Sequence, residues 1–172
     1  VEQKNHRFLI DIFNEVHKQK ENSILLLAGQ GPLMEEMKEK VKILGIEDSV
    51  KFLGQRNDIN ELYQAMDLLL FPSLYEGLGM VAVEAQVSGL PCVVSTEIPK
   101  IAKVTEKITF VNLENKTKPW NEVIFKYLSN INRKNINFTD KIENYDIKKD
   151  VTKLEMKYIN LSNGKEEKNE QN

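Results

Sequence analysis

From Phe8 the apolar residues Phe8, Leu9, Ile12, Phe13 and Val16 recur at helical spacing, and polar Lys18-Gln19-Lys20-Glu21-Asn22 closes the segment. Ile24-Leu25-Leu26-Leu27-Ala28 is a short unbroken apolar run, which predicts a strand buried on both faces, as in a parallel sheet. Gly29-Gln30-Gly31-Pro32 then leads into a helix from about Leu33 to Leu44 that stops at Gly45. The unit recurs. Val50-Lys51-Phe52-Leu53 reads as a strand ended by Gly54, and Asp58 to Met66 as a helix. Leu68-Leu69-Leu70-Phe71 is a buried strand ended by Pro72, with a loop over Ser73 to Leu78 and a helix from about Gly79 to Ser88. Gly89-Leu90 turns into strand Pro91 to Ser95, and strand Ile108 to Val111 precedes helix Pro119 to Leu128.

Strand, loop and helix in alternation, with short connections, predict an α/β fold with a doubly wound, mainly parallel sheet. The expected domain covers residues 1–161. Ser129 to Asp140 is Asn-rich and reads as a loop, and Asp146 to Leu161 regains helical periodicity through Ile147, Val151, Leu154, Met156 and Ile159. Residues 162–172 are polar and read as a disordered tail.

The chain has 172 residues, enough for one domain with its own core. It begins at Val1, which reads as a fragment boundary. A net charge of −2, with Lys dispersed among Glu, disfavours a nucleic-acid partner. The lone Cys92 lies in the apolar run Pro91-Cys92-Val93-Val94, so it reads as a core residue and fits a reducing, cytoplasmic compartment. No apolar stretch is long enough to span a membrane.

In an open α/β sheet, ligands gather at the carboxyl ends of the strands. The turn Gly29-Gln30-Gly31-Pro32 lets backbone approach a ligand. It is not a dinucleotide fingerprint, because Met34 stands where a third glycine would be. The richer loop is Pro72-Ser73-Leu74-Tyr75-Glu76-Gly77-Leu78-Gly79-Met80. Two glycines before a helix leave N–H groups to face an anion, and the helix dipole adds favourable potential. Glu76 lies on this loop and Glu84 in the second turn of the helix, so the two carboxylates do not stack on one helix face. Each suits vicinal hydroxyls of a sugar. Glu84 sits within the apolar run Met80 to Val87, where an acid needs a partner or a ligand. His6 and His17 lack metal-ligand spacing, and Trp120 reads as a packing anchor.

Glu76-Gly77-Leu78-Gly79, Glu84-Ala85 and the later Gly89-Leu90-Pro91 resemble the E-x7-E signature of family 4 retaining glycosyltransferases of the GT-B fold. The resemblance runs from about Lys4 to Trp120 and takes in Ala28 to Pro32, Phe52-Leu53-Gly54, Ala65 to Leu68 and Phe71-Pro72-Ser73. Glu97-Ile98-Pro99-Lys100 and Pro119-Trp120 are similar to a branch that builds bacterial capsular or other surface polysaccharides.

The resemblance implies a Rossmann-like, carboxy-terminal half of a GT-B enzyme, with a nucleoside-diphosphate sugar as donor and neither cofactor nor metal. Glu84 would hold the ribose hydroxyls. Glu76 would face the transferred sugar, and Lys4 the leaving diphosphate. The amides of Gly77, Leu78, Gly79 and Met80 would hold sugar and phosphate, Gly29, Gly31 and Pro32 would shape the nucleotide pocket, and Gln55 and Arg56 would lie near the base. Leu78 replaces the family's usual Phe, and the family's diphosphate arginine would fall before Val1. The amino-terminal acceptor domain would also lie outside these residues. This chain alone is therefore expected to be inactive in transfer, and any peripheral membrane association to belong to the parent protein. Alternative readings are a sugar-nucleotide-binding module without activity and half of a GT-B epimerase or phosphorylase. A response-regulator domain would need acids where Ala28-Gly29 stands.

Overall fold

The computed structural model describes residues 1–114, 116–130 and 147–162. Helix α1 (His6–Gln19) leads into strand β1 (Leu25–Ala28), followed by α2 (Met34–Ile43), β2 (Val50–Gly54), α3 (Ile59–Ala65) and β3 (Leu69–Phe71). Then come α4 (Met80–Val87), β4 (Cys92–Ser95), β5 (Ile108–Val111), α5 (Thr117–Ser129) and α6 (Ile147–Ser162). Short 3-10 turns occupy Glu2–Lys4, Glu47–Ser49 and Lys100–Ala102. The predicted elements are all present, displaced by a residue or two at their ends. The predicted disordered tail, and nearly all of the predicted 129–140 loop, lie outside the described residues.

Every strand pairing is parallel. The strands form two hydrogen-bonded groups, β1–β2 and β3–β4–β5. Helix α1 spans the two groups. Its Leu9, Ile10 and Phe13 pack with Leu25, Leu27 and Val50, while Phe8, Ile12 and Val16 pack with Val93, Val111 and Trp120. The alternation of β4 shows the double winding. Cys92 and Val94 face a cluster with Tyr63, Ala82, Val83 and Ala85 of α3 and α4, whereas Val93 faces α1 and α5. Because the paired strands are parallel, each strand's carboxyl end, and so its following loop, lies on one edge of its sheet.

Burial on both faces holds for β4, whose four residues are all buried. It does not hold for β1, where Leu25 and Leu27 are buried but Leu26 is only half-buried. Helices α1 and α2 cover one face of β1, and among the described residues no such cluster forms on the other. Cys92 is fully buried, as its apolar context requires. Trp120 is also fully buried, its indole N–H donating to the Asn112 carbonyl at 3.0 Å and its ring meeting Phe8 edge-on. On α6 the periodic residues Ile147, Val151, Leu154, Met156 and Ile159 are all exposed.

One buried polar side chain fixes α4 in place. Gln86 is fully buried, and its amide nitrogen donates to the carbonyls of Ala82 and Ala102, each at 2.8 Å. Its oxygen accepts from the Val104 and Thr105 N–H groups and from the Thr105 hydroxyl. Gln86 thereby supplies buried hydrogen-bond partners to backbone groups of the segment after β4, at Ala102, Val104 and Thr105. We predict that Gln86→Leu, of similar size, lowers unfolding stability by about 2–4 kcal/mol, because desolvated backbone groups lose their partner. Urea unfolding measures this, and a loss below about 1 kcal/mol would contradict the bridging role.

Candidate functional site at the strand ends

The amino-terminal segment ties the strand-end loops together. Val1 lies against the first turn: a Cβ on Gly31 would stand 3.3 Å from the Val1 nitrogen. Farther along, Gln3 clasps the loop after β3. Its carbonyl accepts the Leu74 N–H at 2.8 Å, and its side-chain amide donates to the Tyr75 carbonyl at 2.9 Å. Asn5, left-handed at φ 52°, then turns the chain into α1.

This clasp brings Lys4 to Glu76. The ammonium donates to Glu76 Oε1 at 2.7 Å and stands 5.1 Å from the centre of the Phe71 ring. The same Oε1 accepts the Ser73 hydroxyl at 2.6 Å. Ser73 is fully buried, and its own carbonyl accepts the Ser95 hydroxyl at 2.6 Å. The pair is partly withdrawn from water, with the Glu76 side chain 11% and the Lys4 side chain 33% exposed. Two residues 72 positions apart thus form one charged centre at the end of β3.

Beside it α4 begins. Gly79 is its N-cap at φ 72° and offers no capping side chain. The N–H groups of Gly77, Leu78, Gly79 and Met80 donate to no acceptor among the described residues. They are the free donors that a helix start presents to an anion. The glycines differ in what they permit. A Cβ on Gly79 would meet Ile98 Cγ2 at 2.8 Å, whereas one on Gly77 would meet nothing within 4 Å.

Glu84 is not enclosed by its apolar neighbours. Helix α4 buries Ala82, Val83, Ala85 and Gln86 and leaves Glu84 exposed. Its partner is Tyr63 of α3, whose hydroxyl donates to Oε2 at 3.2 Å. Burial first, and then the Glu84 carboxylate, push the Tyr63 phenol far above its ordinary range, so it stays a proton donor.

The turn after β1 leads to a second feature. Gln30, Gly31, Pro32, Met34, Phe52 and Gly54 line a hollow of about 460 Å³, with Glu35 and Lys38 at its side. The Gly29 N–H donates to the Gly54 carbonyl at 2.7 Å, which joins the loops after β1 and β2. Gln55 and Arg56 follow β2 at the same edge but do not line this hollow. Arg56 is engaged in a two-pronged ion pair with Asp58, and both side chains are well exposed.

Sequence reasoning did not single out Ser73, Tyr63 or Gln3. Ser73 stands three residues before Glu76 on the same loop, so only their closeness in sequence could have pointed to the contact. Tyr63 and Gln3 reach their partners only through the tertiary fold and carry no such local signal.

Residues 1–130 match a protein family described as glycosyl transferases group 1. The chain is 39% identical over 124 residues to a putative glycosyltransferase, EpsF, of Bacillus subtilis; the match covers 72% of this chain and 32% of the relative. The chain thus spans about a third of that protein's length. Among solved structures it superposes on WaaG, a glycosyltransferase involved in lipopolysaccharide biosynthesis, with a TM-score of 0.66 and 27% identity over 74% of this chain and 35% of WaaG. It also superposes on Anabaena HepE in complex with UDP, with a TM-score of 0.67, 24% identity and coverage of 77% and 38%. The HepE likeness bears on the fold alone.

Two outcomes follow from this geometry. Gly79→Ala should cost about 2–3 kcal/mol of stability, from its left-handed backbone and the contact with Ile98, while Gly77→Ala should stay within about 0.5 kcal/mol. Denaturant unfolding of the two variants decides it, and equal costs would contradict the assignment. The His6 imidazole is held below its ordinary 6.5 by burial first, then by the positive amino terminus and Lys4. The folded state therefore binds that proton less tightly than the unfolded chain. The stability linked to neutral His6 is complete above about pH 6.5 and is lost as pH falls below it. His6→Gln should lose less stability than the parent chain between pH 7.5 and pH 5.5. An identical loss in both would contradict this linkage.

Proposed function

The chain belongs to the group 1 glycosyl transferases, and from that premise we propose that it is the donor-binding half of a family 4, retaining GT-B enzyme. The enzyme moves a sugar from a nucleoside-diphosphate sugar to an acceptor hydroxyl in the synthesis of a bacterial surface polysaccharide. The observation that carries the reading is the charged centre Lys4–Glu76 beside the unpaired amides of α4, with Glu84 one helical turn farther on. The role of WaaG in lipopolysaccharide biosynthesis points the same way.

Each residue has a role suited to its place. A diphosphate meets the amides of Gly77 to Met80 at the positive end of α4, with the Lys4 ammonium as its counter-charge. Lys4 then offsets the charge that grows on the diphosphate as the sugar departs. Glu76 faces the sugar, and Glu84 accepts from the two ribose hydroxyls while Tyr63 holds its other oxygen. The base lies toward the hollow beside Gly31 and Pro32, with Gln55 and Arg56 at the next strand end; Arg56 reaches a ligand by leaving Asp58. The acceptor is held by a second domain of the full-length protein, so this chain binds donor without transferring it. Transfer needs donor and acceptor oriented together.

Calorimetric titration with UDP, GDP and ADP tests the reading. One nucleotide should bind, and Glu84→Ala should weaken it about tenfold or more, since hydrogen bonds to a charged group contribute about 1.5–3 kcal/mol. Binding of none of the three, or an affinity indifferent to Glu84→Ala, would sink the proposal.

A further inference from the structure

The two contacts to Glu76 fall on one oxygen. Lys4 at 2.7 Å and Ser73 at 2.6 Å both donate to Oε1, and Oε2 accepts no hydrogen bond from any described residue. Ser73 is itself immobilised: it is fully buried, and the Ser95 hydroxyl holds its carbonyl from β4 at 2.6 Å. From this we infer that Ser73 is a positioning residue that fixes the Glu76 carboxylate while Lys4 exchanges it for the donor's diphosphate, so that Oε2 stays aimed at the sugar. The inference rests on the donor-site reading above.

The physical argument turns on the difference between the two donors. Lys4 carries a flexible four-carbon stem and a compact charge, and its side chain is a third exposed, so it can swing to a stronger anion. A diphosphate outbids a single carboxylate for that charge. Glu76 would then lose its counter-ion while nearly buried, and an unheld carboxylate would turn toward water or toward the phosphate's cation. The Ser73 hydroxyl is neutral, buried and short-tethered. It has no competing anion to follow, and its only way to turn away is a rotation about one carbon–carbon bond inside a buried site. The carboxylate therefore keeps one charge-assisted hydrogen bond in both states. The relay Ser95 to Ser73 to Glu76 runs from β4, whose four residues are all buried, to the site.

The test compares a nucleoside diphosphate with its sugar conjugate, since only the latter reaches Glu76. Affinities of the chain for UDP and UDP-glucose, and for GDP and GDP-mannose, are measured by calorimetry for the parent, Ser73→Ala, Glu76→Ala and the double variant. In Ser73→Ala the affinity for the free diphosphate should stay within about twofold, while the preference for the sugar conjugate falls about three- to tenfold, as for loss of one hydrogen bond to a charged group. In the Glu76→Ala background the same substitution should change that preference less than about twofold, because the group it positions is gone. A merely structural Ser73 would weaken both ligands alike and do so in either background, and that result would overturn the inference. Ser95→Ala provides the milder probe should Ser73→Ala unfold: it should lower the same preference, and an unchanged preference would overturn the relay. If the parent chain binds none of the four ligands, the donor-site reading fails and the inference with it. If it binds them and Ser73→Ala leaves the preference intact, only the inference fails.

Discussion

The Lys4–Glu76 ion pair is the contact on which the site depends. It joins the amino-terminal turn to the loop after β3, across 72 residues of sequence, and it lies where the parallel strands deliver their loops. A nearly buried carboxylate needs compensation, and here it has an ammonium, a hydroxyl and an adjoining aromatic ring that steadies the ammonium. Such a pair is a poor source of net stability, because desolvation offsets much of the attraction. Its value is that a cation and an acid are held ready at one place, each able to meet a different part of a ligand that is both anionic and polyhydroxylic.

The scaffold around the pair is stiff where stiffness matters. Gln86 binds α4 to the segment after β4, and Gly79 starts α4 against Ile98 with no room for a side chain. The amides at the start of α4 are thereby fixed relative to Ser73 and Ser95 on the neighbouring strand ends. Donors that need not reorganise when an anion arrives are the form of electrostatic stabilisation that costs least at the moment of reaction. Tyr75, Leu78 and Met80 stand exposed on the loop and first helical turn that carry these groups.

Much of the fold was legible because its elements are encoded locally. The short apolar run Cys92-Val93-Val94 after Gly89-Leu90-Pro91 reads as a strand, and the period through Phe8, Ile12 and Val16 reads as one face of a helix; both elements are present. The candidate site was legible in its loop glycines and two glutamates, and through resemblance in Lys4. What escaped were partners made by the fold. The Tyr63–Glu84 contact depends on how α3 packs on α4, and the Gln3 clasp on where the chain's first turn lies. Glu84 shows the same limit from the other side. Its apolar neighbours called for a partner or a ligand, and Tyr63 is that partner, although Glu84 lies on the helix face turned to solvent.

On the proposed reading, the start of α4 and the Lys4–Glu76 centre receive one nucleoside-diphosphate sugar. Backbone amide NMR of the isotope-labelled chain, titrated with UDP-glucose and GDP-mannose, tests it most directly. One of these ligands should shift the amide resonances of Gly77, Leu78, Gly79 and Met80 together with that of Lys4. Shifts that leave those five amides unmoved, at concentrations that saturate the change elsewhere, would contradict it.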